Sequence, residues 1–149
     1  MNNRMKAIIL VIAAIIVLVF VILVNKDSSD IKILTEKEEF NDIYYSNQPK
    51  LLFVDLRDEE DYAKGHLDNF VNIPYLEGKE DVFFQFLSNN KYNEKTIVLL
   101  CYSGNRASKL FNIMYEKGYR KIYFVNMECD KFFSANSDSI STGACNCLD

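Results

Sequence analysis

At 149 residues and 49% hydrophobic content, the chain is the size of one domain and has enough apolar material for a packed core. A net charge of −4 and the lack of any Lys/Arg block argue against nucleic acid as a partner, because neutralising phosphates takes clustered cations. Four cysteines, Cys101, Cys129, Cys145 and Cys147, are too few and too unevenly placed to frame a small disulfide scaffold.

Residues 1–6 form a basic flank with Arg4 and Lys6. From Ala7 to Val24 no charged or polar side chain occurs, and these eighteen positions fall within the ~17–25 that a helix needs to cross a bilayer. A cleaved signal peptide competes with this reading. Its apolar core would span only ~7–15 residues, however, and no small-x-small site follows Val24, where the chain continues Asn25, Lys26, Asp27. Residues 7–24 are therefore expected to be a transmembrane signal anchor, which makes the membrane a partner of this chain. Arg4, Lys6 and the terminal amine favour a cytoplasmic N-terminus, against Lys26 and Lys32 on the other flank. The expected location is single-pass, with the soluble domain outside the cytoplasm.

Residues 25–30 serve as a polar linker, and residues 31–133 as the folded domain. Ile31 to Leu34 is a candidate strand, and Thr35 followed by Glu38 is a capping-box pattern that opens a helix with Phe40, Ile43 and Tyr44 as its apolar stripe. Leu51 to Val54 is continuously apolar and too short for a globular helix, so it is expected to be a strand buried on both faces. A short helix over Asp58 to Ala63 stops near Gly65, and a short strand over Val71 to Ile73 ends at Pro74. A helical segment spans Asp81 to Leu87. Thr96 to Leu100 repeats the buried-strand pattern; Ala107, Leu110, Phe111 and Met114 place a helix over Arg106 to Glu116, ended by Gly118; and Lys121 to Val125 is the last strand. This alternation predicts an α/β fold, a central parallel sheet with helices on both faces. Residues 134–149, rich in Ser, Asn, Asp and Thr, form a loosely ordered, cysteine-containing tail.

The chemistry concentrates at Cys101, which ends a buried strand just before a helix begins. A tight connection there would curl backbone N–H groups around the sulfur, while the helix points its positive end at the same place. Both effects favour thiolate over thiol. Gly104 allows a sharp turn, and Arg106 adds a planar cation able to hold the oxygens of an anionic sulfur donor. The competing view makes Cys101 a small buried residue at a strand end, as isolated cysteines usually are.

The segment CYSGNRAS resembles the active-site loop of rhodanese domains. LLFVDLRDEEDYAKGHLDNFVNIP is similar to that family's upstream signature, and IVLLCYSGNRASKLFNIMYEKGYRKIYFVN to its strand, loop, helix and strand order. The resemblance implies a rhodanese-like fold and a single-domain sulfurtransferase in which Cys101 takes sulfane sulfur as a persulfide and passes it to a second thiophile. The donor would be a small sulfur-containing anion such as thiosulfate, or a persulfide or polysulfide. The acceptor would be cyanide or a thiol, on a small molecule or a protein. Backbone amides across Tyr102, Ser103, Gly104, Asn105 and Arg106 would stabilise the charge on sulfur. Asp55, Arg57 and His66 match positions that the resemblance assigns to structure near the site. No cofactor is implied, because the cysteine itself carries the sulfur.

Phosphatases and arsenate reductases of related fold use a loop one residue longer than the four that intervene here between Cys101 and Arg106, so a cradle sized for one sulfur atom is expected. After Val125 the chain departs from the family's glycine pair, leaving Cys129 in an altered loop where the roles open to it are resolving a persulfide on Cys101 or forming a disulfide with it. Cys145 and Cys147 could pair, accept sulfur or bind a soft metal, but two thiols do not fill a tetrahedral zinc site, so no metal is expected. In an oxidising compartment at least one disulfide would form among these last three cysteines. Two further function classes remain: a non-catalytic rhodanese-like binding module, and a membrane-tethered thiol redox protein.

Overall fold

The computed structural model describes residues 2–24, 29–46 and 48–144. In chain order its elements are α1 (Asn3–Val24), β1 (Asp30–Leu34), α2 (Lys37–Tyr44), β2 (Leu51–Asp55), α3 (Glu59–Lys64), β3 (His66–Leu67) and β4 (Phe70–Asn72). They continue with α4 (Glu80–Asn89), β5 (Thr96–Leu100), α5 (Asn105–Glu116), β6 (Lys121–Val125), α6 (Cys129–Ala135) and β7 (Ile140–Ser141).

Five strands form one sheet in the order β1-β6-β5-β2-β4, and every neighbouring pair is parallel. β5 is central and buried at all five positions. Because side chains alternate across a strand, its two faces feed two cores. Ile97 and Leu99 pack with Phe83 and Leu87 of α4 and with Ala107, Leu110 and Met114 of α5. Val98 and Leu100 pack with Phe40 of α2, Tyr62 of α3 and Cys129 of α6. A strand flanked by helices on both sides has no wet face, which is why Thr96–Leu100 reads as an apolar run rather than an alternation. All five strands of this sheet point the same way, so the loops after β2, β5 and β6 gather at one edge of it.

Two expectations from the sequence need correction. The Thr35/Glu38 capping box is not made: Asn126 N–H bonds the Leu34 carbonyl at 2.9 Å, β1 runs to that residue, and α2 starts at Lys37 with Glu36 at its N-cap and no side-chain cap. The tail beyond residue 133 is docked through residue 143. β7 pairs antiparallel with β3, Asn136 is buried, and Gly143 N–H bonds the Ala63 carbonyl at 2.9 Å. Polar composition there marks hydrogen bonding to the domain rather than disorder; Tyr45 Oη, for example, donates to Asn136 Oδ1 at 2.7 Å.

The expected membrane span covers residues 7–24. Among the described residues no helix is long and apolar enough to cross a membrane. The side chains of α1 are described over residues 4–20, short of the full apolar run, although its backbone helix continues to Val24. The transmembrane reading is therefore not carried by the structure.

Candidate active site

β5 delivers Cys101 to the edge where the parallel strands end, and α5 begins four residues later. Ligand sites in open α/β sheets lie at this edge, because only there do loops from several strands converge. The Cys101 Sγ accepts a hydrogen bond from the Gly104 N–H at 3.2 Å, so the loop folds back over the sulfur. Gly104 adopts φ +90°, a left-handed conformation that costs a side chain, and it is the N-cap of α5. A Cβ there would lie 2.8 Å from the Asn126 Cα and collide with the Asn126 side chain. Asn126 follows β6, the neighbour of β5, and sequence reasoning missed it because its contact exists only across the sheet.

Gly104→Ala should therefore displace the loop. We expect a stability loss of about 2–4 kcal/mol from strain plus overpacking, and at least a tenfold fall in sulfur uptake, measured by chemical denaturation and by intact mass. A fully active, equally stable Ala variant would show that this glycine does not shape the site.

The cover over the sulfur is nearly complete: Cys101 is 1% exposed. The cysteine is thus closed to solvent in this structure. Any reactant would have to displace the covering loop to reach it. Tyr102 and Ser103 are half-buried in that loop, and Asn105 is exposed at the first position of α5.

Arg106 is not an open fork. Its Nη1 donates to Asp58 Oδ1 at 2.9 Å and to the Leu56 carbonyl at 3.3 Å, while Nη2 approaches Asp58 Oδ2 at 3.4 Å. Its guanidinium also lies 4.9 Å from the centre of the Tyr102 ring. The hydrogen bond from Arg106 holds the Asp58 carboxyl below the usual carboxylate range, against the opposing effect of burial. The Tyr102 hydroxyl donates to Asp61 Oδ2 at 2.6 Å, and its pKa is pushed up to about 12, first by burial and then by that carboxylate. The mouth of the site therefore carries one guanidinium and two carboxylates, Asp58 and Asp61. Neither acid stood out in the sequence, since each meets the Cys101 loop across more than forty residues.

Asp55 and Arg57 form a buried pair at 2.7 Å, with Asp55 fully buried and Arg57 4% exposed. Arg57 Nη2 also donates to the Gly65 carbonyl at 2.8 Å, and its guanidinium rests 4.6 Å from the centre of the Phe133 ring. Asn72 Nδ2 donates to the Asp55 and Arg57 carbonyls at 3.0 and 2.9 Å. Together these bonds fix the turn from β2 to Asp58. His66 starts β3, where its Nδ1 donates to the Tyr62 carbonyl at 2.9 Å and its ring stacks on Tyr62 at 3.7 Å.

Cys129 lies at the start of α6 rather than in a loop, and its N–H donates to the Tyr102 carbonyl at 2.8 Å. It thus anchors the Cys101 loop through its backbone. Its thiol faces the opposite core from Cys101 and is pushed up to about 11 by burial, despite the nearby Arg57 cation. A thiol so protonated is a poor resolving nucleophile. Cys101 and Cys129 are both free thiols. Cys145 and Cys147, with the disulfide and metal roles considered for them, lie outside the described residues.

A parallel α/β sheet whose central strand delivers a cysteine into a glycine-turned loop at a helix start defines a class of thiol-centred sites. The family model for the Rhodanese-like domain matches residues 36–135, and the chain belongs to that family. The tRNA uridine(34) hydroxylase of Photorhabdus laumondii is 32% identical over 81 residues, covering 53% of this chain and 22% of the relative. The protein of the same name from Erwinia tasmaniensis is 28% identical over 99 residues, covering 66% and 28%. The chain thus spans only about a quarter of the length of these curated relatives. Among solved structures, the rhodanese-like domain of an Anabaena protein matches with TM-score 0.58 at 12% identity, covering 73% of this chain and 78% of that one. A rhodanese-like domain protein from Staphylococcus aureus matches with TM-score 0.54 at 22% identity, covering 68% and 90%. An As-Sb reductase from Leishmania major shares the fold with TM-score 0.56 at 17% identity, covering 74% and 86%.

Proposed function

We propose that this chain is a rhodanese-type sulfurtransferase that carries sulfane sulfur on Cys101. The Cys101 sulfur attacks the outer sulfur of thiosulfate, or of a persulfide or polysulfide. The donor S–S bond breaks and its electron pair leaves with sulfite or the donor thiolate. A thiol or cyanide acceptor then attacks the outer sulfur of the Cys101 persulfide, and Cys101 departs with the bonding electrons as thiolate. The bond from Gly104 N–H to Sγ is the observation that supports this most, because that amide is placed to stabilise negative charge on the sulfur. The spacing of Cys101 and Arg106 supports sulfur over phosphate or arsenate.

The test is intact mass of the full chain after incubation with thiosulfate or polysulfide. A gain of one sulfur is expected. Unchanged mass would favour a docking module, and loss of two hydrogens a thiol redox protein.

Asp58 sets how well an anion competes for Arg106. Asp58→Asn should free the guanidinium, lowering KM for thiosulfate about three- to tenfold with little change in kcat, and shifting stability by no more than about 1 kcal/mol because the pair is exposed. Since Asp58 titrates below the usual range, its stabilising pair is intact above that range and lost only as pH falls through the lowered value. The thiosulfate KM should therefore show no Asp58-linked improvement between pH 8 and pH 5. Steady-state kinetics of both forms over this window check both statements; equal KM values would remove Asp58 from donor selection.

The proposal includes anchoring by residues 7–24, supported by the apolar run, with the domain outside the cytoplasm, supported by Arg4 and Lys6. A second reading, tRNA uridine hydroxylation, is favoured by the curated relatives' likeness. Turnover of a tRNA uridine by a chain that gains no sulfur would select it.

A further inference from the structure

The edge of the sheet opposite Cys101 has a different character. Where the parallel strands begin, a concavity of about 930 Å³ is lined by Lys50, Lys91, Lys95, Lys117, Arg120 and Lys121. Glu94 is the one carboxylate among its lining residues. Five of the six cations are exposed and Lys95 is half-buried. Among the described residues, none of the six forms an ion pair with a carboxylate; the ion pairs there involve Arg57, Lys64, Arg106 and Lys109. Lys95, Lys117 and Arg120 lie instead over the rings of Tyr92, Phe84 and Tyr115. A chain of net charge −4 has thus collected a cationic face whose members are scattered from residue 50 to residue 121.

The same edge receives the N-terminal segment. Asp30 opens β1 opposite Lys121, and its N–H bonds the Arg120 carbonyl at 2.7 Å. Only residues 25–29 separate Asp30 from the end of α1, so the apolar helix ends within ~20 Å of this edge however those residues run.

We propose that this basic face docks on the anionic headgroups of the membrane that holds α1. The inference rests on the anchoring proposed above. Covalent tethering brings the face to the bilayer surface, where each unpaired cation within a Debye length is attracted to anionic lipid. Docking this way turns the Cys101 edge away from the bilayer, open to soluble donors and acceptors.

The test places the full chain in nanodiscs of phosphatidylcholine alone or of phosphatidylcholine with phosphatidylglycerol, and follows acetylation of each lysine by a water-soluble reagent using peptide mass spectrometry. In the anionic discs Lys50, Lys91, Lys117 and Lys121 should react at least about threefold more slowly, and high salt should erase the difference. Lys37 and Lys131, by the opposite edge, should react equally in both. Lys91→Glu/Lys117→Glu should lose the protection while keeping its sulfur uptake. Equal labelling of inserted chain in the two discs would overturn the docking face alone. Failure of the chain to co-purify with discs would overturn the anchor and the docking together. Protection of the same lysines by added RNA, with none from anionic lipid, would overturn lipid in favour of nucleic acid.

Discussion

Cys101→Ser should abolish sulfur transfer. The substitution keeps the loop's size and turn but exchanges the sulfur for an oxygen that forms no persulfide, so turnover of thiosulfate with cyanide should fall at least about 10³-fold and the mass gain should vanish. The variant should remain folded, with stability within about 1 kcal/mol of the parent, since the Gly104 N–H keeps an acceptor at position 101. Thiocyanate formation, intact mass and circular dichroism together separate lost chemistry from lost structure. A Ser variant that still gains sulfur would move the chemistry to another cysteine.

Arg57→Ala should be the most damaging change outside the loop. It leaves Asp55, fully buried, without the guanidinium that bonds it, and removing one partner of a buried pair costs about 3–5 kcal/mol. Arg57 also ties the Gly65 carbonyl, so the turn that aims Asp58 at Arg106 loosens as well. The expected fall in Tm is about 6–20 °C for a chain of this size. Combining it with Asp55→Val, which removes the stranded charge, should recover part of the loss. Parallel thermal melts of parent, single and double variants decide it; a single variant within about 1 kcal/mol of the parent would mean water reaches Asp55 and the pair is not buried in solution.

Much of the scaffold was legible because burial on both faces writes itself into composition. Thr96–Leu100 and Lys121–Val125 are strands over the stretches that their apolar runs predict, and Leu51–Asp55 differs from its prediction by one residue. The Cys101 loop was legible for the same reason, since Gly104 and Arg106 sit beside the cysteine in sequence. What escaped depends on contacts between distant segments. Asp58 reaches Arg106 across 48 positions, and the Asn126 contact that forbids a side chain at 104 spans two strands. β7 was hidden in a polar tail because a two-residue pairing with β3 needs no apolar pattern. The cationic face was invisible for a related cause: it is assembled from three separated segments, at residues 50, 91–95 and 117–121.

The measurement that bears most directly on Cys101 as sulfur carrier is the position of the added sulfur in the unaltered chain. After loading with polysulfide, free thiols are blocked, the protein is digested, and the peptides containing Cys101, Cys129, Cys145 and Cys147 are weighed separately. One extra sulfur should appear on the Cys101 peptide and disappear when cyanide is added. Sulfur confined to Cys129 or to the last two cysteines, with Cys101 unmodified, would contradict the mechanism.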